Sequence, residues 1–88
     1  MIEKNVKVIN SLGIHARPAS LIVQTAIKYK ASVQLVKDGA TADAKSIMSV
    51  MMLAAAQGSN VTVKGAGEDE AEAVDAVIAL FDRKFNEE

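Results

Sequence analysis

Several residue types are scarce in this 88-residue chain, and each scarcity excludes a class of chemistry. Cysteine is missing, which excludes disulfides, thiolate zinc sites and thiol catalysis. A single histidine argues against an imidazole-rich metal site, so we expect neither a metal ion nor a cofactor. Tryptophan is also missing, and the aromatic residues are one tyrosine and two phenylalanines, so the core must be built from aliphatic side chains.

Long apolar runs are missing as well. No run approaches the roughly 18 residues of a membrane-spanning helix, and the first residues lack the pattern of a secretory signal peptide. The sequence therefore predicts a cytoplasmic protein without membrane insertion. Its length predicts one domain over residues 1–88.

Charge is distributed unevenly along the chain. Residues 1–67 carry eight basic and three acidic side chains, a net charge of +5, whereas residues 68–88 carry two basic and eight acidic ones, a net charge of −6. A positive body favours acidic partners, but the same asymmetry fits a solvated acidic last helix on an ordinary domain.

Hydrophobic periodicity predicts the element order β-α-β-β-α-β-α. The predicted strands lie near 2–9, around Val33 and Leu35, over 40–43 after the turn Asp38-Gly39, and around Val61 and Val63, where Gly65 and Gly67 are expected to end the strand. The first predicted helix runs over about 16–27, with Ile27 on its apolar face. A short second helix starts at Ile47, in a region that Gln57-Gly58 ends. The last helix runs from 68–70 to about 83–84, with Phe85 on its apolar stripe. A helix between the first two strands suggests a split βαβ unit with the fourth strand inserted between them. We expect an α+β open-faced β-sandwich, a four-stranded antiparallel sheet covered on one face by three helices.

The segment Gly13-Ile14-His15-Ala16-Arg17-Pro18-Ala19-Ser20 is the strongest functional signal. A proline three residues after a histidine, ahead of an apolar helical pattern, predicts that His15 lies at a helix N-terminus. The first amides of a helix have no internal partner and carry the positive end of its dipole, so an anion attached to the ring would lie over them. Arg17 adds a planar set of donors suited to phosphate. The segment indicates a histidine that can carry a phosphoryl group.

No second half of an active site accompanies His15. The sequence has no Walker-type phosphate loop, no close carboxylate pair near His15 and no arguable Ser-His-Asp arrangement. We therefore expect a stoichiometric carrier rather than an enzyme, with catalysis supplied by partner proteins.

Two further features lie together in the sequence. Ser46 is typical of a helix N-cap, and a phosphate on it would gain from the same helix dipole. Ile47, Met48, Met51 and Met52 follow it, and four apolar side chains in six residues exceed one buried stripe, so some of them are expected to face outward. Methionine suits surfaces that fit several partners.

These residues together resemble the HPr family, the histidine-containing phosphocarriers of the bacterial sugar phosphotransferase system. The resemblance spans the whole chain and is carried by Gly13-Ile14-His15-Ala16-Arg17-Pro18-Ala19 and Lys45-Ser46-Ile47-Met48. Gln57-Gly58 and Gly65-Ala66-Gly67-Glu68-Asp69-Glu70 support it. Many relatives have glycine where this chain has Ser49 and Ala54.

The resemblance implies a specific function. His15 would accept phosphate at ring Nδ1 from phosphorylated enzyme I and pass it to the IIA domains of sugar permeases. Arg17 and the backbone amides of Ala16 and Arg17 would hold the phosphate. The implied docking surface consists of Ile14, Ser20, Ile47, Met48 and Met51.

The resemblance also implies regulation at Ser46. An HPr kinase/phosphorylase would phosphorylate it, as in Gram-positive relatives, and the phosphorylated form would bind a catabolite-control transcription factor. Purely regulatory relatives replace the histidine with glutamine, so His15 argues against that branch. A carrier that visits several partners is most simply a monomer.

Other functions stay open at this point. A regulatory or nitrogen-branch paralogue would act mainly through protein–protein interaction. Split βαβ sheets also bind RNA, but they do so through exposed aromatics, and here Tyr29, Phe81 and Phe85 fall in or beside predicted helices. We therefore expect no nucleic-acid partner.

Overall fold

The fold is seen in a computed structural model that describes residues 1–86. It contains four strands, three α-helices and a final 3₁₀ turn. In chain order the elements are β1 (Ile2–Lys7), α1 (Ala16–Ala26), β2 (Ser32–Lys37), β3 (Ala40–Asp43), α2 (Ile47–Met52), β4 (Asn60–Ala66), α3 (Glu70–Asp82) and the turn Lys84–Asn86.

The four strands form one antiparallel sheet in the order β1-β4-β2-β3. Strand β4 lies between β1 and β2, pairing Val61 with Val6 and Val63 with Leu35. This is the strand insertion that the split βαβ pattern predicts, and it confirms the open-faced α+β sandwich. Both β1 and β3 are edge strands.

The helices pack on one face of the sheet. Helix α3 contacts β1, β4 and β2, and α1 packs between α3 and α2. The side chains between the two layers are small and aliphatic, apart from Phe81 and Phe85, whose rings meet edge to face with centroids 4.9 Å apart. Such a pair adds about 0.5–1.5 kcal/mol beyond its area burial. The core is aliphatic, as the composition predicts.

Two predicted boundaries move at the ends of β1 and α1. Strand β1 ends at Lys7 rather than residue 9, because the chain turns at Asn10, whose carbonyl accepts from the Gly13 amide at 3.2 Å. Helix α1 ends at Ala26, and Ile27, predicted on the buried face, is 59% exposed because it lies past the last turn.

Glycine 65 does not end β4, contrary to the sequence prediction. It lies inside the strand, which continues to Ala66. A Cβ at this position would lie 2.6 Å from Val74 Cγ2, so glycine here allows α3 to approach the sheet closely. Gly65 therefore has a structural role, but that role is close helix packing and not the end of the strand.

Helix α2 is short, as the sequence predicts, and ends at Met52, so Gln57-Gly58 lies in the loop that follows it. Leu53 caps it, and Ala54 then adopts a left-handed conformation with φ +52°. Lys37 Nζ donates to the carbonyls of Leu53 at 3.5 Å and Ala54 at 3.4 Å, which places a positive charge at the negative end of the helix. Glycine adopts the left-handed conformation of Ala54 more readily than alanine does.

The chain after α3 turns left-handed. Phe85 was predicted on the helical stripe, but it lies in the 3₁₀ turn with φ +54°. It is nevertheless fully buried, so the prediction of its burial is confirmed. Over residues 1–86, no helix has the length and apolar character needed to cross a membrane.

Candidate functional site

His15 is the N-cap residue of α1, as the sequence predicts. Its backbone is extended, with φ −94° and ψ −165°, and its carbonyl accepts the first helical bond from the Ala19 amide at 3.0 Å. Within residues 1–86 its ring makes no capping hydrogen bond to the helix. The amides of Ala16 and Arg17 have no acceptor inside the helix, and Pro18 has no amide hydrogen. The start of α1 therefore offers donors beside a half-buried imidazole.

Charge at this helix start is also suited to an anion. Ala16 and Arg17 are both exposed, and the first turn of α1 contains no acidic residue. The guanidinium of Arg17 can donate two parallel hydrogen bonds to a phosphate. Within residues 1–86, no group of three acidic or histidine side chains is placed to hold a metal ion.

A tight loop positions His15. Gly13 has φ +69°, and a Cβ on it would lie 2.6 Å from the carbonyl oxygen of Ala55. The next amide, Ile14 N–H, donates to that same oxygen at 2.9 Å. The His15 loop is thus packed backbone to backbone on the segment that follows α2.

Ser46 is the N-cap of α2, which confirms that part of the sequence prediction. Its Oγ accepts from the Ser49 amide at 3.4 Å, and its carbonyl accepts from Val50 at 3.1 Å. Neighbouring Lys45 extends away to donate from Nζ to the Tyr29 carbonyl at 2.9 Å. Ser46 is half-buried.

The outer face of α2 is apolar and exposed. Ile47, Met48 and Met51, which we call the α2 surface, are 44%, 66% and 42% exposed, whereas Val50 turns inward and is fully buried. Ser20 is half-buried on α1, where its Oγ accepts from Gln24 at 3.0 Å. Helices α1 and α2 contact each other, so the α2 surface lies on a neighbour of the helix that carries His15.

One residue of the implied docking surface lies elsewhere. Ile14 is 6% exposed and belongs to the hydrophobic core, so its side chain does not form part of an exposed surface. The Ile14 amide bonds to the carbonyl of Ala55, which is distant in sequence, and this tertiary contact accompanies the burial of the side chain in the core.

Exposed apolar residues outside the predicted docking set include Met52 and Leu12. Met52 is 77% exposed at the end of α2, and Leu12 is 74% exposed three residues before His15. The excess of apolar residues at 47–52 was the signal for Met52. Leu12 lies in a segment with the composition of a loop, but no pattern in the sequence indicated that it belongs to a docking surface.

The fold and this site define a class of protein: a small α+β domain that presents a histidine at a helix N-terminus beside an apolar helix face. The family described as "PTS HPr component phosphorylation site" matches residues 2–83. The chain belongs to this HPr family, the phosphocarriers of the phosphotransferase system.

Individual relatives agree with this assignment. The phosphocarrier protein HPr of Treponema pallidum is 47% identical over 88 residues, which cover 100% of both chains. A crystal structure of HPr-C-His from Thermoanaerobacter tengcongensis superposes with a TM-score of 0.96 at 43% identity, covering 100% of this chain and 99% of the other. The HPr-like protein Crh of Halalkalibacterium halodurans is 43% identical over 84 residues, covering 96% of this chain and 100% of Crh.

Proposed function

We propose that this chain, acting as a monomeric single domain in the cytoplasm, carries phosphoryl groups from phospho-enzyme I to the IIA domains of sugar permeases. Nδ1 of His15 attacks the phosphorus, the bond from phosphorus to enzyme I breaks, and an N–P bond forms. The second transfer reverses this pattern, with a IIA nucleophile attacking and the imidazole leaving. Each chain carries one phosphoryl group at a time, so it acts stoichiometrically. It is regenerated unchanged and needs no cofactor.

The N-cap position of His15 is the observation that carries this proposal. A phosphoryl group on the ring lies at the positive end of α1, where the Ala16 and Arg17 amides can donate to its oxygens. Arg17 supplies further charge from the same turn. These groups bind the phosphate only through hydrogen bonds and charge, so the N–P bond stays available for the second transfer.

Partner docking is assigned to Ser20 and the α2 surface. Apolar area is what a protein partner can bury, and the unbranched Met48 and Met51 can repack against partners of different shape. The positive charge of residues 1–67 supports the approach of acidic partners.

Ser46 is proposed as the regulatory site, phosphorylated by an HPr kinase/phosphorylase. A phosphate there replaces a hydroxyl cap with a stronger acceptor, so α2 need not unfold. Its charge lies at the edge of the α2 surface and opposes acidic partners. Helix α2 has six residues, so Ser46 lies roughly 9 Å along the helix axis from its C-terminal end, which precedes the segment on which the His15 loop packs. The phosphorylated form is then the one that binds a catabolite-control transcription factor.

The direct experiment is phosphoryl transfer from phosphoenolpyruvate through enzyme I. Because His15 is the only histidine, an acid-labile, base-stable phosphate on this chain identifies its own position. We expect one such phosphate per wild-type chain, none on His15→Ala, and the full amount on the control Ser46→Ala. Arg17→Ala should accept phosphate about tenfold more slowly, because it loses a charged phosphate contact. Equal phosphorylation of His15→Ala would refute the proposal.

The 43% identity to Crh supports a second candidate, a regulatory paralogue that acts mainly through protein contacts. A nitrogen-branch paralogue, the other alternative, would also act mainly through protein contacts. Complementation of sugar uptake in a strain without its own carrier distinguishes the two. A sugar carrier restores uptake and loses it with His15→Ala. A regulatory protein does not restore uptake, and its effect follows Ser46 instead.

A further inference from the structure

One peptide unit just before His15 is held at both ends. The carbonyl of Gly13 accepts from Asn10 Nδ2 at 2.7 Å, and the N–H of the same peptide, that of Ile14, donates to Ala55 O at 2.9 Å. These bonds pull on opposite sides of one rigid plane, and so they fix its rotation. The Gly13–Ile14 peptide is therefore clamped between a side chain and a neighbouring loop.

Burying the Asn10 side chain on one side of this clamp costs free energy of desolvation. Asn10 is fully buried, and it is the one polar residue in the buried set of residues 1–86. A buried amide costs free energy unless it is hydrogen-bonded, and an apolar residue at this position would suit an aliphatic core better. A stability role alone does not require this residue type, because the rest of the core is made from Val, Ile, Leu, Ala and Phe.

The clamped peptide leads directly into the functional residue. Gly13 O also accepts from the His15 amide at 3.2 Å, so its direction bears on the backbone from which the imidazole extends. A change in the peptide plane rotates the N-cap residue relative to the Ala16 and Arg17 amides. Group transfer is sensitive to such misplacement, since about 1 Å can cost about a hundredfold in rate.

The far side of the clamp is itself anchored. Ser59 O accepts from Val8 N–H at 2.9 Å, Gly58 N–H donates to Val8 O at 2.8 Å, and Gln57 Nε2 donates to Ile9 O at 3.3 Å. The segment 55–59 and the segment 8–14 therefore form a paired scaffold, and Asn10 is the side chain that ties its inner turn.

We propose that Asn10 is a positioning residue for phosphoryl transfer, acting through the Gly13–Ile14 peptide to set the orientation of His15. This inference rests on the proposed transfer at His15. It predicts a defect in the rate of transfer rather than in recognition, because the α2 surface is untouched by the clamp.

The test compares Asn10→Ala and the isosteric Asn10→Asp, which removes the amide donor, with the control Val33→Ala. Val33 is a fully buried core residue on β2, so its truncation lowers stability without touching the loop. Initial rates of phosphorylation by phosphoenolpyruvate and enzyme I are measured against carrier concentration, at a temperature where circular dichroism shows every variant folded. Ring ¹⁵N chemical shifts of His15 are recorded in parallel.

We expect both Asn10 variants to lower kcat about tenfold while KM stays within about twofold and the end point stays at one phosphate per chain. Their His15 ring signals should shift, and those of Val33→Ala should match wild type in signals and rates. Wild-type kcat and ring signals in both Asn10 variants would overturn the inference. Phosphorylation of His15→Ala to the same extent as the wild-type chain would instead refute the proposed function.

A measurement on the unaltered chain covers variants that fail to fold. Scalar couplings across hydrogen bonds should join Asn10 Nδ2 to the Gly13 carbonyl and the Ile14 amide to the Ala55 carbonyl. Failure to detect the first coupling, when the second is seen, would also overturn the inference.

Discussion

The first backbone amides of α1 and of α2 have no partner inside their helix, and the two N-cap residues differ in whether they supply one. At α2 the N-cap side chain, Ser46 Oγ, bonds an amide of its own helix. At α1 the N-cap ring of His15 makes no such bond, and the helix start is held from outside by Asn10 and Ala55. A helix that caps itself is locally stable but has fewer donors to offer.

This difference bears on the proposed function, because it leaves the first amides of α1 without a side-chain cap. If the amides at the start of α1 were satisfied by a serine or aspartate cap, a phosphoryl group would have to displace it. Support supplied through the preceding loop holds the geometry without using those donors. In the proposed function, the start of α1 is used for phosphate binding, whereas the start of α2 is stabilised by its own cap.

The largest effect on stability is expected from Gly13→Ala, which disrupts the packing of the loop before α1 on Ala55 and Ala56. The added Cβ would lie 2.6 Å from Ala55 O and 2.9 Å from Ala56 Cα, at a φ of +69°. Strain and overlap together should lower the free energy of unfolding by about 2–4 kcal/mol, measured by urea denaturation. Gly39→Ala is the matched control, since it has φ +82° but nothing within 4 Å, and it should cost about 1 kcal/mol. Equal costs would mean that the contact with Ala55 adds nothing.

The next effect separates the two N-caps directly. Ser46→Ala removes a capping bond, though a long one at 3.4 Å, and should lower the free energy of unfolding by about 0.5–1 kcal/mol. His15→Ala removes no capping bond, so its cost should lack this capping contribution and should be smaller. A stability loss at His15 equal to that at Ser46 would contradict the comparison. Thermal and chemical unfolding of the pair at one pH measures it.

The smallest effect concerns the third helix start. Asp69, the N-cap of α3, makes no capping bond within residues 1–86 to its own helix, and its carboxylate accepts from Lys30 N–H at 3.0 Å and Ala31 N–H at 2.8 Å. The Lys30 bond, then the Ala31 bond, lowers the pKa of Asp69 below its ordinary 3.8. A lowered folded pKa gives stability that is complete above the unfolded value and lost as pH falls through the folded one.

Acid unfolding tests this third case. Asp69→Asn should be less stable than wild type at pH 7 and should lose less stability on acidification from about pH 5 to pH 3. The exposed neighbour Glu68 provides the control, since Glu68→Gln should leave the contribution of Asp69 to the pH dependence in place. Parallel acid profiles for Asp69→Asn and wild type would show that the carboxylate does not support the loop.

Local patterns predicted most of the architecture. The alternation of Val61 and Val63, the cap at Ser46 and the proline after His15 each act within a few residues, and the structure has those elements where the patterns indicate. The strand order also followed from a local observation, because a helix between the first two strands leaves room for a later strand between them.

Features that depend on distant contacts were not predictable in this way. Gly65 resembles a strand end until α3 is seen packed against it, and Ile14 resembles an exposed neighbour of His15 until its amide is paired with Ala55. The role of Asn10 was hidden for the same reason. Asn10-Ser11-Leu12-Gly13 has the composition of an ordinary surface loop, and only tertiary structure shows that its first side chain is buried.

The pairing of the 8–14 and 55–59 segments has a consequence for synthesis on the ribosome. Val8 bonds to Ser59, about fifty residues later, and β1 pairs with β4 alone. The first strand must therefore wait, unpaired, until nearly three quarters of the chain has been translated. Contacts this distant in sequence slow folding, since the loop they close must be ordered first. The loop that positions His15 can therefore take its final form only after the segment 55–59 has been made.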